Sequence, residues 1–288
     1  AETILKDKLY VEDKTRYNVE PTINNTKYVS NFWSPVKNLN YLAEHAFNTN
    51  GSPTFLFFEN RNGLNFISLD TLYKTDIVQK FFEDNYSREV NADGTSVRDI
   101  THEYQRIIEL TVPNVFDYVD RLQSGAFSSI LITHNLTNKN VDYKPFDFLD
   151  NYERETRLNK YPLISKTLIH DYPSVIKTMS KMYTVHDNNG DITNSKIFQR
   201  RQSLMRLAES CVIEITVLGR TDYTVGQKIN VNLNKNMPID KEDDDVTDYM
   251  FSGNYIIASM KHMINREDHE IKMELIKDSL DLDLNNLK

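Results

Sequence analysis

The groups of this 288-residue chain that could do chemistry are one cysteine, seven histidines and a surplus of carboxylates. Cys211 lies in SCVIEITV, and a single thiol rules out an intrachain disulfide. A catalytic thiolate needs exposure and a neighbouring cation or helix N-terminus, whereas this apolar setting suits a small buried hydrophobe. The histidines, His45, His102, His134, His170, His186, His262 and His269, form no HExxH or HxH pair, so zinc has little support. His262 and His269 flank the last turn and could approach each other, but they read as ordinary strand-face side chains. No GxSxG elbow is present, and Ser124-Gly125 and Ser252-Gly253 read as turn residues.

Two acidic stretches invite a cation. Asp187-Asn188-Asn189-Gly190-Asp191 has the composition of a calcium loop, but its glycine comes fourth rather than sixth. Its twelfth position is Phe198, where a bidentate glutamate belongs. In the run Glu242-Asp243-Asp244-Asp245 successive side chains diverge, and both stretches read as solvated loops. Eight glycines leave little material for phosphate-cradling loops, and neither GxGxxG nor a Walker loop occurs. Sequons at Asn24, Asn50, Asn85 and Asn135 are what an Asn-rich chain produces by chance. The expectation is therefore no catalytic, cofactor-binding or metal site, no cofactor and no enzyme.

The formal charge of −8, from 42 acidic and 34 basic residues, disfavours a general nucleic-acid-binding surface, which needs cations to displace counterions. No apolar run approaches the ~18 residues of a membrane span. The start, AETILKDKLYVEDK, lacks the basic and apolar regions of a signal peptide, so the chain reads as soluble and not exported by the general secretory route.

The elements that would hold these groups follow from periodicity. Ile4, Leu5 and Leu9 allow one short helix. Ser34 and Pro35 open a second helix whose apolar face is Val36, Leu39, Leu42, Ala43, Ala46 and Phe47, with Asn50-Gly51 as its stop. TFLFFENRNGLNFISL (54–69) then reads as a hairpin. Phe55 and Phe57 point one way, Leu56 and Phe58 the other, so cover on both faces is expected, as core or subunit contact rather than a ligand platform. Residues 70–83 read as a helical or irregular link and 84–100 as a loop. YQRIIELTV follows as a strand, Phe116, Val119 and Leu122 mark a helix ending at Gly125, and FSSILITHNLTNKNVDYKPFDF is a second hairpin. SKIFQRRQSLMRLAES (195–210) is a clear helix with Ile197, Leu204, Met205, Leu207 and Ala208 inward and Arg200, Arg201 and Arg206 solvated. Strands follow at 212–219, 226–233, 255–264 and 270–279, an antiparallel barrel or sandwich pattern.

SPVKNLNYLAEHAF with TFLFFENRNGLNFISLDTL resembles a segment of the central baseplate hub protein of contractile-tailed, T-even-type phages. LQSGAFSSILITHNLTNKNVDYKPFDF is similar to the stretch where a hub chain crosses between domains. FQRRQSLMRLAESCVIEITVLGRTDYTVGQKINVNL and FSGNYIIASMKHMINREDHEIKMELIKDSL resemble its helix, barrel strands and closing hairpin. The likeness runs in order over about residues 28–280. The family begins with an additional barrel, and here only about 30 residues precede the matching helix, so that barrel is expected to be lacking.

The resemblance implies an α+β chain: an antiparallel, tail-tube-like β-barrel with packed helices and an additional smaller α/β region. The expected division is an N-terminal segment (1–27), helix plus hairpins (28–140), an irregular or peripheral region (141–194), and helix plus barrel strands (195–288). It further implies a non-enzymatic homotrimeric ring in the virion's tail baseplate, assembled in the host cytoplasm. That ring would join tail tube to tail spike beside other baseplate proteins, with DNA only as passing cargo, and an acidic lumen would repel its phosphates. The competing readings are a receptor- or glycan-binding tail module and a cell-wall hydrolase.

Overall fold

The computed structural model describes residues 1–23, 29–83, 103–115, 123, 125–135, 139–163, 175–181, 190–235 and 247–283, without the side chains of 114, 115, 135, 175–181 and 190–197. The fold is α+β, with two compact units. One comprises Ala1–Leu72, Asp117–Thr156 and Ile164–Ala208; the other comprises Tyr73–Phe116, Arg157–Leu163 and Glu209–Lys288.

The first unit opens with α1 (Glu2–Leu9), whose Leu5 is buried, and β1 (Tyr17–Val19). Helix α2 (Pro35–Glu44) starts where expected: Ser34 Oγ accepts from Lys37 N at 3.3 Å, and Pro35 fills the first position, where no intrahelical donor is needed. It stops before Asn50-Gly51. The Asn48 side chain accepts from the amides of Asn50 (3.0 Å) and Ser52 (2.9 Å), offering the backbone a turn in place of another helical one. The aromatic hairpin forms as read: β2 (Phe55–Asn60) pairs antiparallel with β3 (Gly63–Ser68), and β1 adds to β3 in parallel, giving the order β1-β3-β2. Ala43 and Ala46 pack on Phe55 and Phe66, the two rings 5.2 Å apart. Leu56 and Phe58 on the opposite face are half-buried, as is Phe57 on the first, while Ile67 opposite Leu56 is buried, so each face of the hairpin is covered in part.

Helix α3 (Leu69–Lys74) follows, and β4 (Ile77–Phe82) belongs to the second unit. Local pattern makes 70–83 a helical or irregular link; β4 is a strand because β11, some 150 residues on, supplies its hydrogen bonds. The strand β5 (Ile107–Val115) is as expected. In the first unit, β6 (Ser128–Asn135) and β7 (Asn140–Asp147) form the second hairpin. After the short α4 (Phe148–Asn151) the chain visits the second unit with β8 (Tyr161–Pro162). Returning, it lays β9 (Val175–Lys181) parallel to β6, in the order β7-β6-β9. Strand β9 had no periodic signal. Helix α5 (Gly190–Ala208) begins five residues ahead of the expected start. Its Gln199 amide donates to the carbonyls of Ser129 (3.1 Å) and Lys144 (3.0 Å), and Leu207 packs with Ala126, Phe127, Phe148 and Tyr152.

The second unit is a six-stranded sheet in the order β4-β11-β12-β13-β10-β5, with β10 (Cys211–Leu218), β11 (Lys228–Asn232), β12 (Gly253–Ile264) and β13 (His269–Lys277). All pairings are antiparallel except β4 on β11. The sheet curls far enough that its end strands meet at one corner, where Phe82 bridges Arg106. Alternation fills the interior: Cys211, Ile213, Ile215 and Val217 from β10 meet Ile271, Met273 and Leu275 from β13, with Phe81, Tyr223, Ile229, Val231 and Tyr255. A last strand, β14 (Ser279–Leu280), pairs with β8. No helix among the described residues is long and apolar enough to cross a membrane.

Candidate functional site

The period of two along β13 that points Ile271, Met273 and Leu275 inward continues to Lys277, which is fully buried. Its ammonium group donates to the carbonyls of Met250 (2.7 Å) and Ser252 (3.0 Å) and lies 4.8 Å from the Tyr255 ring centre. Burial lowers its pKa to about 8, against the opposing pull of Cys211 and of Asp281, Asp248 and Asp278. Across the ladder stands Cys211, with Sγ 3.9 Å from Tyr255 Oη. Burial pushes the Cys211 thiol up, and the Tyr255 hydroxyl well above its ordinary value; that hydroxyl donates to the Phe251 carbonyl. A buried, protonated thiol beside a lysine already committed to two carbonyls closes the end of a core and offers no nucleophile.

One residue further on, Asp278 is half-buried, but its carboxyl group lies among protein atoms, and desolvation pushes its pKa up to about 6. It accepts from Leu158 N (3.2 Å) and Ser279 Oγ (2.6 Å). Beside it Asn159 donates from its amide nitrogen to Ser279 O (2.9 Å) and Asn254 O (3.2 Å), and its oxygen accepts from Asn254 N (2.9 Å). These bonds fasten residues 157–163 to the β12–β14 strands.

The remaining candidates fall as follows. Ser252 is buried, its hydroxyl bonded with both the amide (2.9 Å) and the carbonyl (3.3 Å) of Leu233, so it is not poised for attack. His45 caps α2, its Nδ1 2.8 Å from Tyr41 O, and His134 is exposed on β6. Asn50 sits exposed in the turn after α2, Asn135 ends β6, and Gly190 starts α5. His102, His170, His186, Asn24, Asn85, Asp187, Ser124, the helix expected around Phe116–Leu122 and the acidic run 242–245 lie outside the described residues. Among the described residues no three of His, Cys, Asp and Glu gather as metal ligands. His262 and His269, by contrast, do meet: Nδ1 of the first lies 3.0 Å from Nε2 of the second.

Helical spacing places Arg200 and Arg201 on the solvated face. Arg200 instead grips Glu155 with two donors (2.6 and 2.8 Å) and Gly51 O with a third (2.7 Å), while Arg201 donates to Pro53 O at 2.6 Å. Burial lowers the Arg201 guanidinium's pKa. Arg206 is exposed as expected. Lys277 went unrecognised although the alternation of EIKMELIKDS carried the signal. Its polar type argued for the surface.

The outward face of the curled sheet carries Glu109, Glu214, Glu270 and Glu274 with Lys272. Glu214 and Glu274 stand directly opposite each other. Lys272 relieves the first and the Ser259 hydroxyl, at 2.8 Å, the second. Both end strands keep partly exposed apolar side chains: Ile77 and Val78 on β4, Ile108 and Val112 on β5.

No protein-family model matches the chain, and no curated protein matches it in sequence. The chain shares its fold with a solved structure. It aligns over 97% of its length with the 43 kDa tail protein of prophage MuSo2 from Shewanella oneidensis, at 11% identity and a TM-score of 0.51. A tail protein from Neisseria meningitidis MC58 aligns over 96% of the chain at 12% identity and a TM-score of 0.48. The chain spans 63% and 65% of those two proteins, respectively.

Proposed function

We propose that this chain is a structural protein of a phage tail, of the baseplate hub type. Three copies form a ring that joins the tail tube to the central spike and lets DNA pass. The observation that carries the reading is the fold shared along nearly the whole chain with the MuSo2 43 kDa tail protein. The curled sheet gives it a physical basis. An open sheet with apolar side chains on both edge strands is a liability for an isolated molecule and an asset in a ring. Past the corner where Phe82 meets Arg106, the β4 edge of one copy meets the β5 edge of the next, a heterologous contact that closes by rotation. The carboxylates on the outward face, placed toward a channel, repel DNA phosphates and keep the genome sliding. The core's buried thiol and lysine give no support to an enzyme.

Sedimentation velocity of the isolated chain, alone and with its spike partner, tests the reading. A trimer that dissociates on Ile77→Asp or Ile108→Asp is expected; a monomer at every concentration, with no spike binding, sinks it. A second reading, a receptor- or glycan-binding tail module, draws on the exposed rings of Phe32 and Tyr143. Glycan-array binding abolished by Tyr143→Ala would favour it.

A further inference from the structure

We propose that His262 and His269 form a two-histidine site for a late first-row divalent metal ion, at the rim of the curled sheet opposite Lys277. The strands run antiparallel, with Ile264 opposite His269 and His262 opposite Ile271, so both imidazoles continue the inward-facing row past Met260 and Ile271. His262 is on that row because of a β-bulge. Between Ile257 and Ser259 the register against β13 slips by one residue. Tyr255 and Ile257 lie on the inner face before the slip; Met260 does so after it, and His262 and Ile264 continue that row to the exposed rim. Without the extra residue Lys261 would occupy the place of His262.

The partner ring is seated as deliberately. Gly219 N donates to His269 O at 2.7 Å, and a Cβ on Gly219 would lie 2.1 Å from His269 Cγ, so only glycine leaves room for the imidazole. The rings are stacked, centroids 5.3 Å apart and planes at 30°, with Nδ1 of His262 3.0 Å from Nε2 of His269. Two metal–nitrogen bonds of ~2.05 Å ending on atoms that far apart subtend roughly 94° at the ion. That is near the right angle of tetragonal or octahedral coordination; a tetrahedral ion needs the nitrogens at about 3.4 Å. The geometry therefore favours Cu²⁺ and Ni²⁺ over Zn²⁺. The two facing nitrogens bind as bare lone pairs at this separation. Each neutral ring then carries its proton on the far nitrogen, His262 Nε2 and His269 Nδ1. Water completes the shell, since the turn at 265–268 is exposed.

The test is calorimetric titration of the whole chain with NiCl₂, CuCl₂ and ZnCl₂ at pH 7.5. Wild type is compared with His262→Ala, His269→Ala and, as a control on the other unit, His134→Ala. One ion per chain is expected, with Cu²⁺ and Ni²⁺ tighter than Zn²⁺, and with affinity falling at least tenfold in both hairpin variants and unchanged in the control. Circular dichroism confirms that each variant is folded. Equal affinity in all four proteins, no binding at all, or Zn²⁺ bound more tightly than Ni²⁺ would overturn the proposal.

Discussion

Lys277 and Cys211 face one another across β13 and β10, a cation and a thiol paired on the inward side of a sheet beside the apolar side chains of Ile213 and Leu275. The ammonium group keeps its place through two carbonyls and one aromatic face, yet it has left water. A lysine with a folded pKa of about 8, below the unfolded 10.5, binds fewer protons in the folded state between those values. Stability therefore rises with pH through that window, by up to about 3 kcal/mol. Lys277→Met abolishes the gain. Urea unfolding at pH 7.5 and pH 10 should show wild type gaining stability relative to the variant, in which the raised Cys211 thiol makes stability fall; equal slopes would mean that the ammonium is hydrated.

Asp278 carries the opposite shift. Its folded pKa, about 6, lies above the unfolded 3.8, so the folded state binds more protons between them and stability falls as pH rises through that range. Asp278→Asn keeps an acceptor for Leu158 N and Ser279 Oγ while removing the charge. A gain of roughly 1–2 kcal/mol at pH 7, shrinking toward zero at pH 4, is expected from melting curves across that range. Loss of stability at pH 7 would show that attraction to Arg157 outweighs desolvation.

Gly63 closes the aromatic hairpin at φ +125°, and a Cβ there would lie 2.1 Å from the Arg16 carbonyl oxygen, just ahead of β1. Gly63→Ala combines backbone strain with a backbone clash that no rotamer relieves. A cost of about 2–4 kcal/mol is expected. Hydrogen exchange should localise the damage to β1 and β3; protection unchanged there would refute it.

Much of the fold was legible because local pattern and final environment agree. Residues 211–218 and 269–277 alternate in sequence as they do in space, and Ser34-Pro35 caps and opens α2 with no help from elsewhere. What was illegible depended on distant partners or on one inserted residue. IVQKFF becomes β4 only when β11 pairs with it, and α2 ends early because Asn48 folds back on its own chain. Strict alternation through YIIASMKHMI puts His262 on the outer face, and the bulge after Ile257 moves it to the row of Met260, at the exposed rim. Lys277 obeyed the pattern, but its charge argued against burial. At Arg200 no periodic signal existed, since the carboxylate it grips lies 45 residues away.

That grip allows a last test. Glu155 is nearly buried, its side chain 5% exposed, and Arg200 meets it with two donors while a third holds the Gly51 carbonyl. A planar guanidinium satisfies three acceptors in fixed directions, whereas a lysine is a point charge on a flexible stem. Arg200→Lys should therefore cost about 1–2 kcal/mol although the charge is kept. Glu155→Gln leaves the guanidinium without its counter-charge and should cost about 2–4 kcal/mol. Combined, the changes remove the same contact twice, so the double mutant should lose less than the sum of the singles by 1 kcal/mol or more. Denaturant unfolding of the four proteins gives that coupling directly. Strict additivity would mean that Arg200 and Glu155 act independently, and that the bidentate contact contributes nothing to stability.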